Sequence, residues 1–481
     1  MARSIQRHEL DIYSKYSLWW RTIRGRRTCL VFVTGVLLLV GGLSCSQHVA
    51  EPHYPNVVLI SIDTLRRDHC SAHGYSLPTT PVMCELGKQG AVFNLAYAPI
   101  ATTAPSHATM LTGYYPLAHR LIKNGLTLDD EFETLPELLA PYGYQSYAVV
   151  SAFVLDRKFG LAQGFDEYDD RIPLEETSWK KRDFQGQRVP RVPDRRSDFT
   201  SERAIQWLRT RRDPQRPFFM FVHYFAPHYP YVPPPEVAAS FVPPDATRHS
   251  HEEAVGLYDA EIAFADASIG RLLDELKTLQ IDEDTIVVLT ADHGEGLKQH
   301  GWMFHGIHIY EEAVRVPLIF RFPQQISPGQ VFDQPVELTD LTPTILALAD
   351  IDMPYELFQG MNLAPALRRQ SDLDANRAVY LHRRHYNGDY LGEYWAKGEL
   401  FGIRDREWKY IEGKEENLRQ LFNLAKDPLE TTNVLDEFPE AATQLAHQLE
   451  SWKLDQHSAK PIRNDMTNED IEKLRSLGYI Q

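Results

Sequence analysis

The sequence predicts an α/β protein: a large, mostly parallel central sheet flanked by helices, followed by a smaller α+β part. Three observations carry this reading. Two apolar runs, "NVVLISID" and "TIVVLTADHGEG", read as buried parallel strands that each end in an acid. Strand-like runs alternate with helical patterns over most of the chain. After about Pro365 the texture changes to short segments typical of an antiparallel sheet. In such a sandwich, ligands sit at the carboxyl ends of the strands.

Taken in order, residues 1–28 form a basic region in which Arg21, Arg24, Arg26 and Arg27 precede an apolar run. That run, within residues 29–45, is short for a membrane span, and with its basic flank it reads as a signal peptide or membrane anchor. "GLSCS" at Cys45 resembles a lipoprotein cleavage site and Arg26-Arg27 a twin-arginine pair, each a weak match. The expectation is an exported protein, periplasmic, extracellular or membrane-anchored, that meets a membrane through this segment. Residues 46–55 are a linker.

The main domain, residues 56–365, begins with the strand that ends at Asp63. "TLPELLAPYG" then reads as a helix and "YQSYAVVS" as a strand. The charged, proline-bearing stretch 166–198 is a long loop of the kind that forms lids or binding surfaces. A helix over 198–211 leads into the strand "PFFMFVHYF", and "EEAVGLYDAEIAFADASIGRLLDELKTLQ" is a long helix. The strand ending at Asp292 and the strand "VPLIFRFP" follow. A C-terminal subdomain, residues 366–481, is expected to hold a small antiparallel sheet closed by a helix near Glu440–Leu454.

Composition bounds the function. Apolar residues make up 43% and charged residues 24%, as in ordinary globular proteins. The formal net charge of −16 argues against a general nucleic-acid partner, because phosphate backbones need a basic face. Of four cysteines, two lie in the leader; Cys70 and Cys84 remain, as a disulfide or as two small thiols.

Two strand-end acids and an imidazole, Asp63, Asp292 and His293, form a plausible divalent-metal set if the sheet brings their strands together. The plain alternative is that each acid is a turn residue or helix cap. In "TTAPSHATMLTG", Pro105 suits the first turn of a helix, so Thr103 stands at its N-terminus. Thr103 is then either a cap or a metal-activated nucleophile, with helix-end amides offsetting negative charge on a transferred group. His228 lies between Pro227 and Pro230, and His300, His305 and His308 surround a glycine-bearing loop. These histidines are hydrogen-bond donors to an ester, ligands of a second metal, or surface residues. Asp68 reads as a helix cap, Asp259 and Glu261 as a solvated helix face, and the basic run Lys180–Arg196 as a solvated loop or a site for an anionic polymer.

"NVVLISIDTLRRDHCSAHGY", "TTAPSHATMLTGYYP", "GYQSYAVVSAFVLDRKFGLAQGFDEYDD", "APHYPYVPP", "YDAEIAFADASIGRLL", "TADHGEGLKQHG", "YEEAVRVPLIFRFP", "VELTDLTPTILAL" and "LFNLAKDPLETTNVL" resemble, in order, the sulfatases of the alkaline phosphatase superfamily. The resemblance spans about Asn56 to Leu435. It implies an alkaline phosphatase-like sandwich, hydrolysis of sulfate or phosphate esters, and an anionic ester substrate. It also implies one divalent metal ion (Ca²⁺, Mg²⁺, Mn²⁺ or Zn²⁺) and leaves a second open. Residue by residue, Asp63, Asp292 and His293 match metal ligands, Thr103 takes the nucleophile position and becomes a fourth ligand, and His228 matches a histidine that contacts the transferred group. His305 lies near a position where many sulfatases carry lysine.

Four departures narrow that inference. Thr64 replaces the second acid of the usual pair, and Ala152 stands where a lysine is usual. His107 replaces the arginine of the maturation motif, and Thr103 replaces the cysteine or serine that becomes formylglycine. Threonine cannot become that aldehyde, so no formylglycine is expected, and the expected chemistry is a metal-activated threonine acting on phosphoryl or sulfuryl groups. Two other readings remain: a membrane-tethered transferase of phosphoryl-linked groups, and a sulfatase-like binding protein without turnover.

Overall fold

The computed structural model describes residues 53–177, 183–184, 187–188, 194–391, 394–456, 467 and 473. The leader reading, the linker up to residue 52 and most of the Lys180–Arg196 run lie outside the described residues. Among the described residues, no helix is long and apolar enough to cross a membrane.

The strands are β1 (Asn56–Ile62), β2 (Ala91–Tyr97), β3 (Gln145–Val149), β4 (Glu167–Asp169), β5 (Asp183–Phe184), β6 (Gln187–Arg188), β7 (Phe218–Tyr224) and β8 (Thr285–Ala291). They continue with β9 (Arg315–Arg321), β10 (Gln330–Phe332), β11 (Val336–Glu337), β12 (Val379–Leu391), β13 (Tyr394–Arg404), β14 (Trp408–Gly413) and β15 (Leu418–Asn423). The central sheet has nine strands in the order β10-β2-β9-β8-β1-β7-β3-β4, with β11 also on β2. Only β9 runs against the others. Every residue of β1, β7 and β8 is buried, which is why these strands read as near-continuous apolar runs.

Because β8, β1 and β7 are parallel neighbours in register, Ile62 lies beside Ala291 and Tyr224. The next residue of each strand therefore leaves the sheet at one edge, and that edge collects Asp63 and Asp292. Helices cover the faces. The longest, His251–Thr278, starts at Ser250, whose hydroxyl accepts from Glu253 N at 3.1 Å. Its Asp259 and Glu261 are buried, contrary to the solvated face read from the sequence. Asp259 is held by His69 and Tyr75, each at 2.7 Å, and Glu261 accepts from Val232 N at 2.8 Å. Both are structural acids. Asp68 is no helix cap either; it pairs with Arg66 at 2.6 Å. Cys70 and Cys84 are free thiols.

Strands β12 to β15 form a four-stranded antiparallel sheet. The helix Pro439–Asp455 closes it, laying Leu445, Leu449 and Trp452 on Ile403, Tyr410 and Leu421. A second apolar cluster joins this sheet to the central one, packing Leu381, Leu400 and Ile411 against Tyr97, Ile309 and Val314.

Candidate metal centre and nucleophile

Asp63, at the end of β1, and Asp292 and His293, at the end of β8, are fully buried. Each offers a ligand atom, and the three atoms lie within 4.8 Å of one another. Local hydrogen bonds aim them. Thr64 turns the chain at φ 55°, a left-handed conformation that is costly for a β-branched residue. The turn lets Thr64 N donate to Asp292 Oδ1 at 3.0 Å, joined by His293 N at 2.8 Å. Oδ2 of Asp292 accepts no hydrogen bond. His293 Nδ1 donates to Gly294 O at 2.9 Å, so its Nε2 carries the lone pair, 3.3 Å from Asp292 Oδ2 and 4.0 Å from Asp63 Oδ1. Gly294 is required here, since a Cβ would meet the Glu312 carbonyl at 2.0 Å.

Burial, and then the charge of Asp63, push the Asp292 carboxyl above its usual range. Two buried acids beside a lone-pair imidazole nitrogen suit a divalent cation, which would relieve that repulsion. The donors are hard oxygens and one imidazole, a set open to Mg²⁺, Mn²⁺, Ca²⁺ and Zn²⁺.

Thr103 is the first residue of the helix Thr103–Thr112, all of which is buried. Neither threonine acts as a cap in the ordinary sense: Thr102 makes no capping side-chain hydrogen bond, and the Thr103 hydroxyl donates to His293 Nε2 at 3.3 Å. The helix is pinned to the same edge. Ser106 Oγ donates to the Asp292 carbonyl at 2.6 Å. His107 bridges Ser61 of β1, through Nε2 at 2.8 Å, and the Thr103 carbonyl, through Nδ1 at 2.7 Å. Burial pushes the His107 imidazole down to about 3, so it is neutral and both its nitrogens are occupied. The geometry thus gives His107 a positioning role beneath Thr103.

The helix end offers an anion less than the sequence reading assumed. Ala104 N donates to Asn124 Oδ1 at 2.9 Å, Pro105 has no N–H, and Ser106 N donates to the Thr102 carbonyl at 3.0 Å. Imidazoles line the site instead. The ring of His305 lies 4.4 Å from His293 and 5.2 Å from His228, so three rings follow one another away from the acids. His228 is oriented by its Nδ1 donating to Tyr229 O at 2.6 Å. His305 Nδ1 lies 3.1 Å from Glu295 Oε1. Burial pushes that carboxyl up to about 8 and that imidazole down to about 4.

Asp63, Thr103, Asp292 and His293 thus share one point, with His305 and His228 beyond it. His300 and His308 stand apart, with His300 Nδ1 2.7 Å and His308 Nε2 3.8 Å from Glu312 Oε1. The sequence reading missed Ser61, Ser106, Asn124, His223 and Glu295. His223, opposite Ser61 on β7, places Nε2 3.5 Å from Asp63 Oδ2. A histidine inside the otherwise apolar "FFMFVHYF" and the acid of "DHGEG" were the available signals. Ala152, where a lysine is usual, is buried.

Comparison with known proteins identifies the family and the fold. The family model described as Sulfatase matches residues 55–351, and a model described as N-sulphoglucosamine sulphohydrolase, C-terminal, matches residues 298–459. The chain is 25% identical to an N-acetylglucosamine-6-O-sulfatase of Bacteroides thetaiotaomicron, with 80% of this chain and 83% of that protein covered. It is 24% identical to an arylsulfatase of Clostridium perfringens, with 79% and 90% covered. Two solved structures share the fold. One, in complex with its substrate D-glucosamine-2-N,6-O-disulfate, has a TM-score of 0.70 at 23% identity over 85% of this chain and 99% of that one. The other, a phosphonate monoester hydrolase of Agrobacterium radiobacter, has a TM-score of 0.67 at 22% identity over 84% and 96%. A family model that matches more than half of the chain places it in the sulfatase family.

Proposed function

We propose that this protein is an exported, metal-dependent hydrolase of sulfuric or phosphoric esters in which Thr103 is the nucleophile. One observation carries the reading: the Thr103 hydroxyl sits 3.3 Å from His293 Nε2, inside the buried set of Asp63, Asp292 and His293. Those three residues would hold a divalent cation, with Thr103 beside it. Such a cation, when bound, lowers the pKa of a nearby hydroxyl and offsets charge on a transferring group.

The chain's own residues supply the rest. Asp292 and His107 fix the helix end, which supports Thr103 as the oxygen that would attack sulfur or phosphorus. Attack forms the bond from the Thr103 oxygen and breaks the bond to the leaving alcohol. Water then attacks the same sulfur or phosphorus and returns the threonine. A threonine ester has no carbon–oxygen exit like that of a formylglycine hydrate, so both steps run through sulfur or phosphorus, and phosphorus suits that route better. His228 and His305, whose rings follow outward from His293, would hold the oxygens of the transferred group. Likeness to sulfatases of amino sugars supports a sugar sulfate, and the fold shared with a phosphonate monoester hydrolase supports a phosphoryl ester. The leader read from the sequence supports export, with or without a retained anchor.

The test offers the full-length protein an aryl sulfate, an aryl phosphate, a bis-aryl phosphodiester and glucosamine-6-sulfate, each with Mg²⁺, Ca²⁺, Mn²⁺ or Zn²⁺. Metal-dependent turnover that disappears in Thr103→Ala is the expected result. Turnover that survives Thr103→Ala removes the nucleophile assignment. No turnover by a protein that still binds metal would favour a binding protein or a transferase that needs its acceptor.

A further inference from the structure

A cavity of about 320 Å³ opens where β2, the start of β9 and the turn after β1 meet the β13–β14 turn of the C-terminal sheet. None of its lining residues belongs to the metal centre. Four guanidinium groups line it, Arg67, Arg315, Arg404 and Arg406, against two carboxylates, Glu311 and Asp333. Glu311 is already engaged by Lys409 at 3.2 Å and by the Tyr97 hydroxyl at 2.8 Å, and Asp333 by Asn94 Nδ2 at 2.8 Å.

The arginines are held mostly by neutral partners. Arg67 donates to Asn94 Oδ1 at 3.0 Å, and Arg315 donates to the Asn94 carbonyl at 2.7 Å and reaches Glu311 only at 3.8 Å. Arg404 is 3% exposed, donates to the Asp405 carbonyl and lies 5.0 Å over the Tyr97 ring. The Nε atoms of Arg67 and Arg404 are buried and make no hydrogen bond. Arg195 and Arg377, by contrast, are paired with acids: Arg195 meets Asp169 at 2.9 Å and Glu176 at 3.0 Å, and Arg377 meets Asp340 at 2.7 Å. A chain with net charge −16 has acids to spare, yet the lining of this cavity carries two more guanidinium groups than carboxylates. The positive field reaches neighbouring groups. Burial, and then Arg315, push Arg67 down to about 10; burial, and then Arg67 and Arg315, push His73 down to about 3.

We propose that this cavity is a second anion site, distinct from the hydrolytic centre, that takes a doubly charged tetrahedral oxyanion. Sulfate and phosphate share that chemistry, as free ions or as ester groups on a larger molecule. Guanidinium forks match such oxygens in pairs, and Arg404 and Arg67 have buried Nε–H donors to give.

The test is calorimetric titration of the full-length protein with sodium sulfate and sodium phosphate at low ionic strength, in wild type, Arg406→Gln and Arg67→Gln. Arg406 is exposed on a turn, so its replacement leaves the fold intact even if Arg67→Gln does not. Binding about tenfold weaker in Arg406→Gln is expected, with unchanged kcat/KM on an uncharged-aglycone aryl ester. A crystal soaked in selenate should show selenium among the four arginines. Oxyanion affinity equal in wild type and both variants, or selenate only beside Asp63 and His293, overturns the proposal. A sulfated hexasaccharide separates the sources: binding at least tenfold tighter than sulfate, and lost in Arg406→Gln, marks an ester group on a chain, whereas affinity equal to that of sulfate marks a free ion. Thr103→Ala is titrated in parallel. Arginine-dependent binding in that variant stands whether or not the hydrolase reading does.

Discussion

At the ends of β1 and β8, two carboxylates and an imidazole are drawn together by the register of neighbouring parallel strands, and backbone hydrogen bonds to Asp292 Oδ1 and from His293 Nδ1 fix two of them. At the second cavity, four guanidinium groups arrive from the turn after β1, the start of β9 and the β13–β14 turn, and are anchored chiefly to one asparagine and to backbone. The first place concentrates negative charge in a dry interior and needs a cation. The second concentrates positive charge in an open cavity and needs an anion. Rigidity follows from the difference: a reacting centre must be placed to within fractions of an ångström, whereas an oxyanion site works with long, adjustable side chains. The contrast predicts large, local losses from changes at the first place and small, salt-sensitive ones at the second.

The largest effect is expected from Thr103→Ala, which should lower kcat by about 10⁴-fold or more while circular dichroism and Tm stay near wild type. Retained turnover would reduce the first site to a metal-binding structural element. Next comes Asp292→Asn. Wild-type protein in metal at 100 times its Kd should gain about 2.7 kcal/mol of stability, read as a rise in Tm over chelated protein. Asp292→Asn should lose most of that gain, and sulfate titration at the arginine cavity should not change. A smaller loss, about 10- to 100-fold in kcat, is expected from Glu295→Gln, because this acid orients His305 from behind, 3.1 Å from Nδ1. Its metal-induced Tm rise should stay near wild type. A Glu295→Gln enzyme with unchanged kcat would remove His305 from the positioning of the transferred group.

The sequence made the first place largely legible and the second not at all. "NVVLISID" and "TIVVLTADHGEG" announce buried strands ending in acids, so Asp63, Asp292 and His293 could be paired before any coordinates. Pro105 put Thr103 at a helix start but left it a cap or a nucleophile, and only the resemblance to sulfatases singled it out as nucleophile. What stayed hidden are the partners that aim these groups: Ser61, Ser106, Asn124 and His223 come from other segments and carry no pattern of their own. Asp259 and Glu261 misled because a helical charge near neighbouring apolar residues reads as a solvated face, and the partners that hold them, His69, Tyr75 and the Val232 amide, come from other segments. Arg67, Arg315, Arg404 and Arg406 are dispersed over some 340 positions, so no charge run betrays them.

The smallest expected effect probes the field of the arginine cavity directly. Half-buried His73 has its proton affinity pushed from an ordinary value of 6.5 down to about 3, by burial first and by Arg67 and Arg315 after it. The unfolded chain therefore binds this proton below about pH 6.5 and the folded chain only near pH 3, so this group makes stability rise with pH across that window. Replacing Arg67 by glutamine removes one repelling charge and should raise the His73 pKa, narrowing the window from below. Because burial is the larger cause, the shift should stay under one pH unit, or less than about 1.4 kcal/mol of pH-dependent stability. Sulfate bound among the arginines should move the same imidazole in the same direction, since an anion screens the charges that repel its proton. Both shifts are readable by NMR titration of His73. A His73 pKa indifferent to both sulfate and Arg67→Gln would mean that the excess guanidinium charge is dissipated into solvent, and that the cavity, unlike the metal centre, needs no counter-ion.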